Sequence, residues 1–152
     1  MNYMEKQIAF ISELPFNNKV ARNHPHMRTE FAQFCALKAD HYCFYNFNLD
    51  KQYDHIILLL SKTDKLRNYL YENKSNLIEE LRPFANKIWF MQEATAQIYQ
   101  QMPLHHQIYH YNILQRVDGI LTENITDFNY FKGLVGKDKQ IETIPTLIIE
   151  DN

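Results

Sequence analysis

Three glutamates stand at or just after the ends of short apolar runs: Glu13 after Ile8 to Ile11, Glu93 after Lys87 to Met91, and Glu123 after Gly119 to Leu121. A carboxylate in such a place can take a proton from an attacking hydroxyl or accept a hydrogen bond from one. The segment that follows Glu13 adds the opposite charge. Lys19, Arg22 and Arg28 lie in it with His24 and His26, a cationic set suited to phosphate or another anion. Each group also has a plainer reading. Glu13 can be steadied by a helix amino end, and Glu93 and Glu123 are acidic residues of the kind common in a helix's first turn. Arg22 and Arg28 can pair with Glu30 and Asp40. His24 can serve as base or donor, or simply mark a helix start.

To bring these groups together, the chain must end several strands on one edge. Gln7 to Ser12 reads as a buried strand, followed by a long polar loop and a helix from Asn23–Pro25 to about Ala39 with Met27, Phe31, Phe34 and Cys35 as its apolar stripe. A second strand is expected over His41 to Phe47 and a central one over Tyr53 to Leu60, whose continuous aliphatic run suits cover on both faces. Helical pieces follow near Lys62 to Tyr71 and Ser75 to Phe84, then a strand over Lys87 to Met91 that places Trp89 in the core. Helical signal resumes over Ala94 to Gln101 and from Pro103 to Val117. A short strand over Gly119 to Leu121, a helix over Thr126 to Leu134 and a last strand over Ile141 to Ile149 complete the order. Such alternation predicts a Rossmann-like, three-layer α/β domain: a mostly parallel sheet of about six strands with helices on both faces. Right-handed crossovers put all strand carboxyl ends on one edge. The loop after the first strand then borders the crevice where such folds bind ligands.

Composition narrows the chemistry. The 152 residues fit one domain, with 45% hydrophobic residues, a net charge of -2 and a sequence pI near 6.4, which gives no support to wholesale nucleic-acid binding. The three glycines all follow Asp118, so the first strand-to-helix turn has no Gly-x-Gly-x-x-Gly fingerprint and NAD or FAD is not expected. No Walker-type phosphate loop, receiver-type aspartate cluster or nucleophile elbow around Ser12 occurs. Cys35 and Cys43 read as buried thiols of a reducing compartment. His106 and His110 are four apart on an expected helix. With Leu104, Ile108, Tyr111 and Leu114 as the buried stripe they point outward as a surface pair, and no metal is expected. No signal peptide is evident, and the longest aliphatic run, Ile56 to Leu60, is too short for a membrane span, so a cytoplasmic protein is expected.

An ordered succession of phrases resembles the amino-terminal domain of GT-B type glycosyltransferases found in tailed bacteriophages and bacteria. They are Ile8 to Phe16 with Lys19, Arg22 to Pro25 and Met27 to Phe31; Ala36 to Tyr42; Met91 to Glu93; Asn124, Asp127, Tyr130 and Lys132 to Leu134; and Ile144 to Asp151. Asn18, Ala94 and Thr95 depart from the family pattern. The resemblance implies a single domain over 1–152 that grips an acceptor or the sugar-phosphate part of a nucleotide sugar. The donor-binding carboxyl-terminal half would be absent, so that a second domain, subunit or homodimer completes the cleft. Glu13, His24 and Glu93 would be the catalytic candidates, and Ser12, Lys19, Arg22, Asn23, Arg28, Gln92, Glu123, Asn124 and Asp127 the ligand-binding ones. The nucleotide sugar would be substrate, with no cofactor, and a phage-encoded chain would work in the host cytoplasm. The alternative is a non-catalytic binding protein that captures a nucleotide or inhibits a host protein.

Overall fold

The computed structural model describes residues 7–13, 39–60, 63–91, 100–122, 125–136 and 139–143. They form a six-stranded, wholly parallel sheet in the order β2-β1-β3-β4-β5-β6. The strands are β1 (Ile8–Ser12), β2 (Asp40–Cys43), β3 (Tyr53–Leu59), β4 (Ala85–Met91), β5 (Gly119–Thr122) and β6 (Gln140–Thr143). Four helices lie among them: α1 (Asp64–Asn73), α2 (Leu77–Leu81), α3 (Leu104–Arg116) and α4 (Ile125–Val135). The fold is therefore α/β, of the Rossmann-like, three-layer type.

Alternation along the strands divides the core in two. Ala9, Ile11, Ile56, Leu58, Ile88, Phe90 and Ile120 face one side, where all four described helices pack through Leu66 and Leu70, Leu77 and Leu81, Ile113 and Leu114, and Phe131. Phe10, Ile57, Leu59, Trp89 and Met91 form a second buried cluster with Ala39 on the other side. The expected helix after the first loop, its Cys35, and the helical piece over 94–99 lie outside the described residues.

Three expectations are corrected. The second strand ends at Cys43, not Phe47, because its partner β1 runs out: the Phe44 amide makes a last bond to the Ser12 carbonyl at 2.9 Å and the chain turns. Residues 44–52 then pass under β1 to reach β3 on its far side, burying Phe44 and Leu49 in the helix-side core. The second helical piece is also shorter than expected. α2 gives way to a 3-10 turn at Arg82–Phe84, and β4 begins at Ala85.

The third correction reverses a helix face. In α3 the side chains turned inward are His106, His110, Ile113 and Leu114, while Leu104, Ile108 and Tyr111 are 71%, 53% and 42% exposed. His106 stacks near Tyr71 of α1, at 5.8 Å between ring centroids, and His110 Nδ1 donates to the His106 carbonyl at 3.0 Å. Two imidazoles, whose charged forms burial disfavours, thus lie inside, His106 with neither ring nitrogen hydrogen-bonded among the described residues, and an apolar stripe lies outside. Cys43 is a free, half-buried thiol, while Trp89 lies in the core as expected. No described helix is long and apolar enough to cross a membrane.

The amino edge of the sheet is tied to itself. Asp118 accepts from the Ile88 amide at 2.8 Å and from Arg82 at 2.5 Å. Burial alone would raise the Asp118 pKa, yet these two donors hold it below the ordinary value. At the start of β2 and β3, Tyr42, Tyr53, Asp40 and Lys51 form a continuous chain of polar contacts. An edge whose charges are mutually satisfied is a structural edge. The opposite one carries the candidate site.

Candidate functional site

Strand order fixes where a ligand crevice should open. From β1 the chain goes to β2 on one side, whereas from β3 it proceeds to β4, β5 and β6 on the other, so connections diverge between the carboxyl tips of β1 and β3. Glu13 directly follows β1 at this point.

Two hydroxyl groups hold its carboxylate. Thr63, beyond the end of β3, lies 2.8 Å from Oε1 and 2.9 Å from Oε2 through its Oγ1. Tyr45, on the crossover under β1, donates to Oε2 at 2.8 Å. Neither partner is placed by accident. Thr63 is the N-cap of α1: its Oγ1 accepts from the Leu66 amide at 3.3 Å while its hydroxyl proton is directed at Glu13. Tyr45 is fixed by Tyr69 of α1, whose hydroxyl donates to the Tyr45 carbonyl at 3.1 Å and whose ring meets the Tyr45 ring edge-on at 4.7 Å.

Among the described residues, both signs of charge lie near Glu13, since Asp64 follows Thr63 in the first turn of α1 and pairs with Arg67. The amino end of α1 points its partial charge toward Glu13, and Lys65 Nζ sits 5.3 Å from the centre of the Tyr45 ring. Burial, followed by the hydrogen bond and the charge of Glu13, pushes the Tyr45 hydroxyl pKa upward, so Tyr45 remains a donor throughout the physiological range. Carboxylate oxygens offer about four lone-pair positions, and the two hydroxyls leave capacity for a ligand's own hydroxyl or amide.

Beside Glu13, the Ser12 hydroxyl lies 2.7 Å from His41 Nε2 on β2. Burial pushes the His41 imidazole down to about 4, so at neutral pH the ring carries no charge and can accept as well as donate. Ser12 itself is buried, which makes it a support for the tip of β1.

Farther along the same edge are Thr122, at the tip of β5, and Asp127, in the first turn of α4, both buried. Thr122 Oγ1 has no hydrogen-bond partner among the described residues. Two strands separate β1 from β5, which puts the Thr122 tip roughly 14 Å from the Glu13 tip at ordinary strand spacing.

Of the residues expected from sequence, Glu13 and Ser12 are adjacent at the crevice and Asp127 occupies the other end of the edge. Lys19, Arg22, Asn23, His24, Arg28, Gln92, Glu93, Glu123 and Asn124 lie outside the described residues. β1 and β4, which precede Glu13 and Glu93 in the sequence, are not neighbours, since β3 stands between them. Sequence reading missed Tyr45, Thr63 and His41. Thr63 carried a usable signal, a threonine before Asp64 at the start of an apolar-periodic run. Tyr45 carried none, because its position depends on the crossover.

No family model, curated protein or solved structure matches the chain.

Proposed function

We propose that this domain binds a hydroxyl-rich ligand, a sugar acceptor or the sugar-phosphate part of a nucleotide sugar, at the carboxyl edge of its sheet. In this reading it serves as the acceptor-side half of a glycosyltransferase. The observation that carries the reading is the Glu13 carboxylate, positioned by Tyr45 and Thr63 where the strand order diverges. Glycosyl transfer needs an acceptor hydroxyl to lose its proton as the sugar leaves, and a carboxylate held by hydroxyl donors can receive that hydroxyl in a fixed direction. The α1 amino end and Lys65 offer donors for the phosphate part of such a ligand, against which the Asp64 carboxylate in the same turn is set by its pairing with Arg67. Arg22 and Arg28 add positive charge in the sequence.

Binding without turnover is the second reading, favoured by the fact that two protein hydroxyls already occupy Glu13. One experiment addresses both. The 152-residue chain is titrated by calorimetry with UDP-, GDP- and CMP-sugars and with simple saccharides, alongside Glu13→Gln, and free nucleotide is assayed after each incubation. The expected result is saturable binding of at least one compound, weakened about tenfold or more by Glu13→Gln, equivalent to ~1.4 kcal/mol. Release of nucleotide identifies an enzyme, and binding without release identifies the second reading. Binding unaffected by Glu13→Gln, or none across the panel, removes this edge as the site.

A further inference from the structure

The first turn of α3 lacks what usually neutralises a helix amino end. Pro103 stands at its N-cap and makes no side-chain capping bond, and no acidic residue follows in the turn. From Ala94 through Gln115 the sequence contains no Asp or Glu. In that same turn His106 is 3% exposed, and neither of its ring nitrogens has a hydrogen-bond partner among the described residues. Buried polar groups are nearly always bonded, so an imidazole with two idle nitrogens points to a missing partner.

α1 brings a buried cation to this place. Both helices follow strands of one parallel sheet and pack on the same face, so both run away from its carboxyl edge. Tyr71 of α1 meets His105 and His106, at 4.7 and 5.8 Å between ring centroids. Arg67 lies one turn earlier on α1, about 6 Å nearer that edge, which sets it beyond the first turn of α3. Its charge bears on both His106 and His110 and opposes their protonation. Arg67 is 8% exposed and paired with Asp64, whose carboxylate is 86% exposed. A carboxylate so far out in water can be exchanged for another anion at small cost.

Ligand classes differ in how many of these groups they use. A metal cation is repelled by Arg67, and the described residues hold no group of three metal-ligating side chains. A neutral hydroxyl could bond His106 but gains nothing from Arg67. A carboxylate does for Arg67 only what Asp64 does already. A tetrahedral oxyanion has enough oxygens to take a guanidinium, an imidazole N–H and helix amides together.

We propose that Arg67, His106 and the amino end of α3 bind a phosphate group, that of free phosphate or of a phosphate monoester. The anion displaces Asp64 into water and accepts from His106, which takes up a proton as the anion arrives. Tyr71 and His105, the rings packed on His106, are both exposed and can turn aside to admit it. Lys65 and Tyr69 face Tyr45, whereas Tyr71 faces α3, so this seat lies on the other flank of α1 and does not rest on the Glu13 reading.

The test is calorimetric titration of the 152-residue chain, at constant ionic strength, with inorganic phosphate, glucose 1-phosphate, sulfate and acetate. Phosphate should bind saturably with a dissociation constant of about 1 mM or below, and acetate about tenfold more weakly or not at all. His106→Leu and Arg67→Met should each weaken phosphate binding about tenfold, Asp64→Asn should tighten it about threefold, and Glu13→Gln should leave it unchanged. Sulfate does not titrate near neutrality, so its affinity reads the protein's own protons. It should rise severalfold more between pH 7.5 and 6 in wild type than in His106→Leu, because the bound state holds a proton that the free state lacks. Circular dichroism accompanies each variant, and Asp64→Asn, a change at an exposed side chain, keeps the test decisive should a buried variant unfold. Tighter binding of glucose 1-phosphate than of phosphate assigns the seat to an ester, and the reverse assigns it to the free ion. The proposal is overturned by no saturable phosphate binding up to about 20 mM, by a folded His106→Leu that binds like wild type, or by Asp64→Asn that binds no better. Phosphate binding lost in Glu13→Gln overturns it as well, whereas failure of every saccharide with phosphate still bound removes only the Glu13 reading.

Discussion

Acid should destabilise this protein through a histidine, and the amount can be worked out. His110 is buried between α3 and the helix-side core, and burial is the largest influence on it. The hydrogen bond to the His106 carbonyl favours the charged form, while the Arg67 guanidinium of α1 and the neighbouring His106 oppose it, leaving the imidazole at about 4 against an ordinary 6.5. Between those two values the unfolded chain binds a proton that the folded chain refuses. Stability is therefore full above pH 6.5 and falls as pH drops toward 4. The whole shift corresponds to roughly 3 kcal/mol, of which roughly 2 kcal/mol is lost between pH 7 and 5. His106, lowered mainly by burial, and His41, whose half-exposed ring counts for less, act in the same direction.

Replacing His110 by Gln keeps a donor for the His106 carbonyl and removes the titration. Urea unfolding of both proteins at pH 7, 6 and 5 then isolates the His110 share. With a slope of about 2 kcal/mol per molar, the wild-type midpoint should fall by about 1 M more than that of His110→Gln between pH 7 and 5. Parallel losses in the two proteins would refute the burial of a neutral imidazole at this place.

Two further substitutions probe the frame and the site. An ideal Cβ on Gly119 of β5 would lie 2.6 Å from Trp89 Cε3 and 3.1 Å from the Gln140 carbonyl, so Gly119→Ala should cost about 1–3 kcal/mol and lower the melting temperature by roughly 3–9 °C. Because Trp89 is the sole tryptophan, its emission reports the same displacement, and an unchanged spectrum with an unchanged melting temperature would contradict the packing. Thr63→Ala removes the α1 N-cap and one of the two holders of Glu13, so it should lose about 1 kcal/mol in thermal unfolding and weaken ligand binding, whereas Thr63→Ser should retain both. Equal behaviour of the alanine and serine variants would sever the link between the cap and the carboxylate.

What could be read from the chain follows the range of the forces involved. β3 and β4 are legible because continuous apolar runs have no stable place except the middle of a doubly covered sheet, and Ile56 to Leu59 and Ile88 to Met91 are all buried. Glu13 is legible for the same reason, since it is the residue at which such a run stops. Tyr45 is not. Its neighbours Tyr42, Phe44 and Phe47 make an aromatic series that imitates a strand, and only the need to pass under β1 turns it into a crossover. The reversed face of α3 fails differently, because the rule that puts apolar side chains inside is local and the rotation of the helix is set by what its second half buries. Ile113, Leu114 and Val117 enter the helix-side core, and at that rotation of α3 His106 and His110 come inside while Leu104 and Ile108 stay exposed. The same distinction separates Glu13 from its holders: a carboxylate can be picked out by where a strand ends, but the hydroxyls of residues 45 and 63 reach it only once the order β2-β1-β3 is known. A site assembled at a divergence of strand order is therefore half visible in any single sequence, the half contributed by the strand itself.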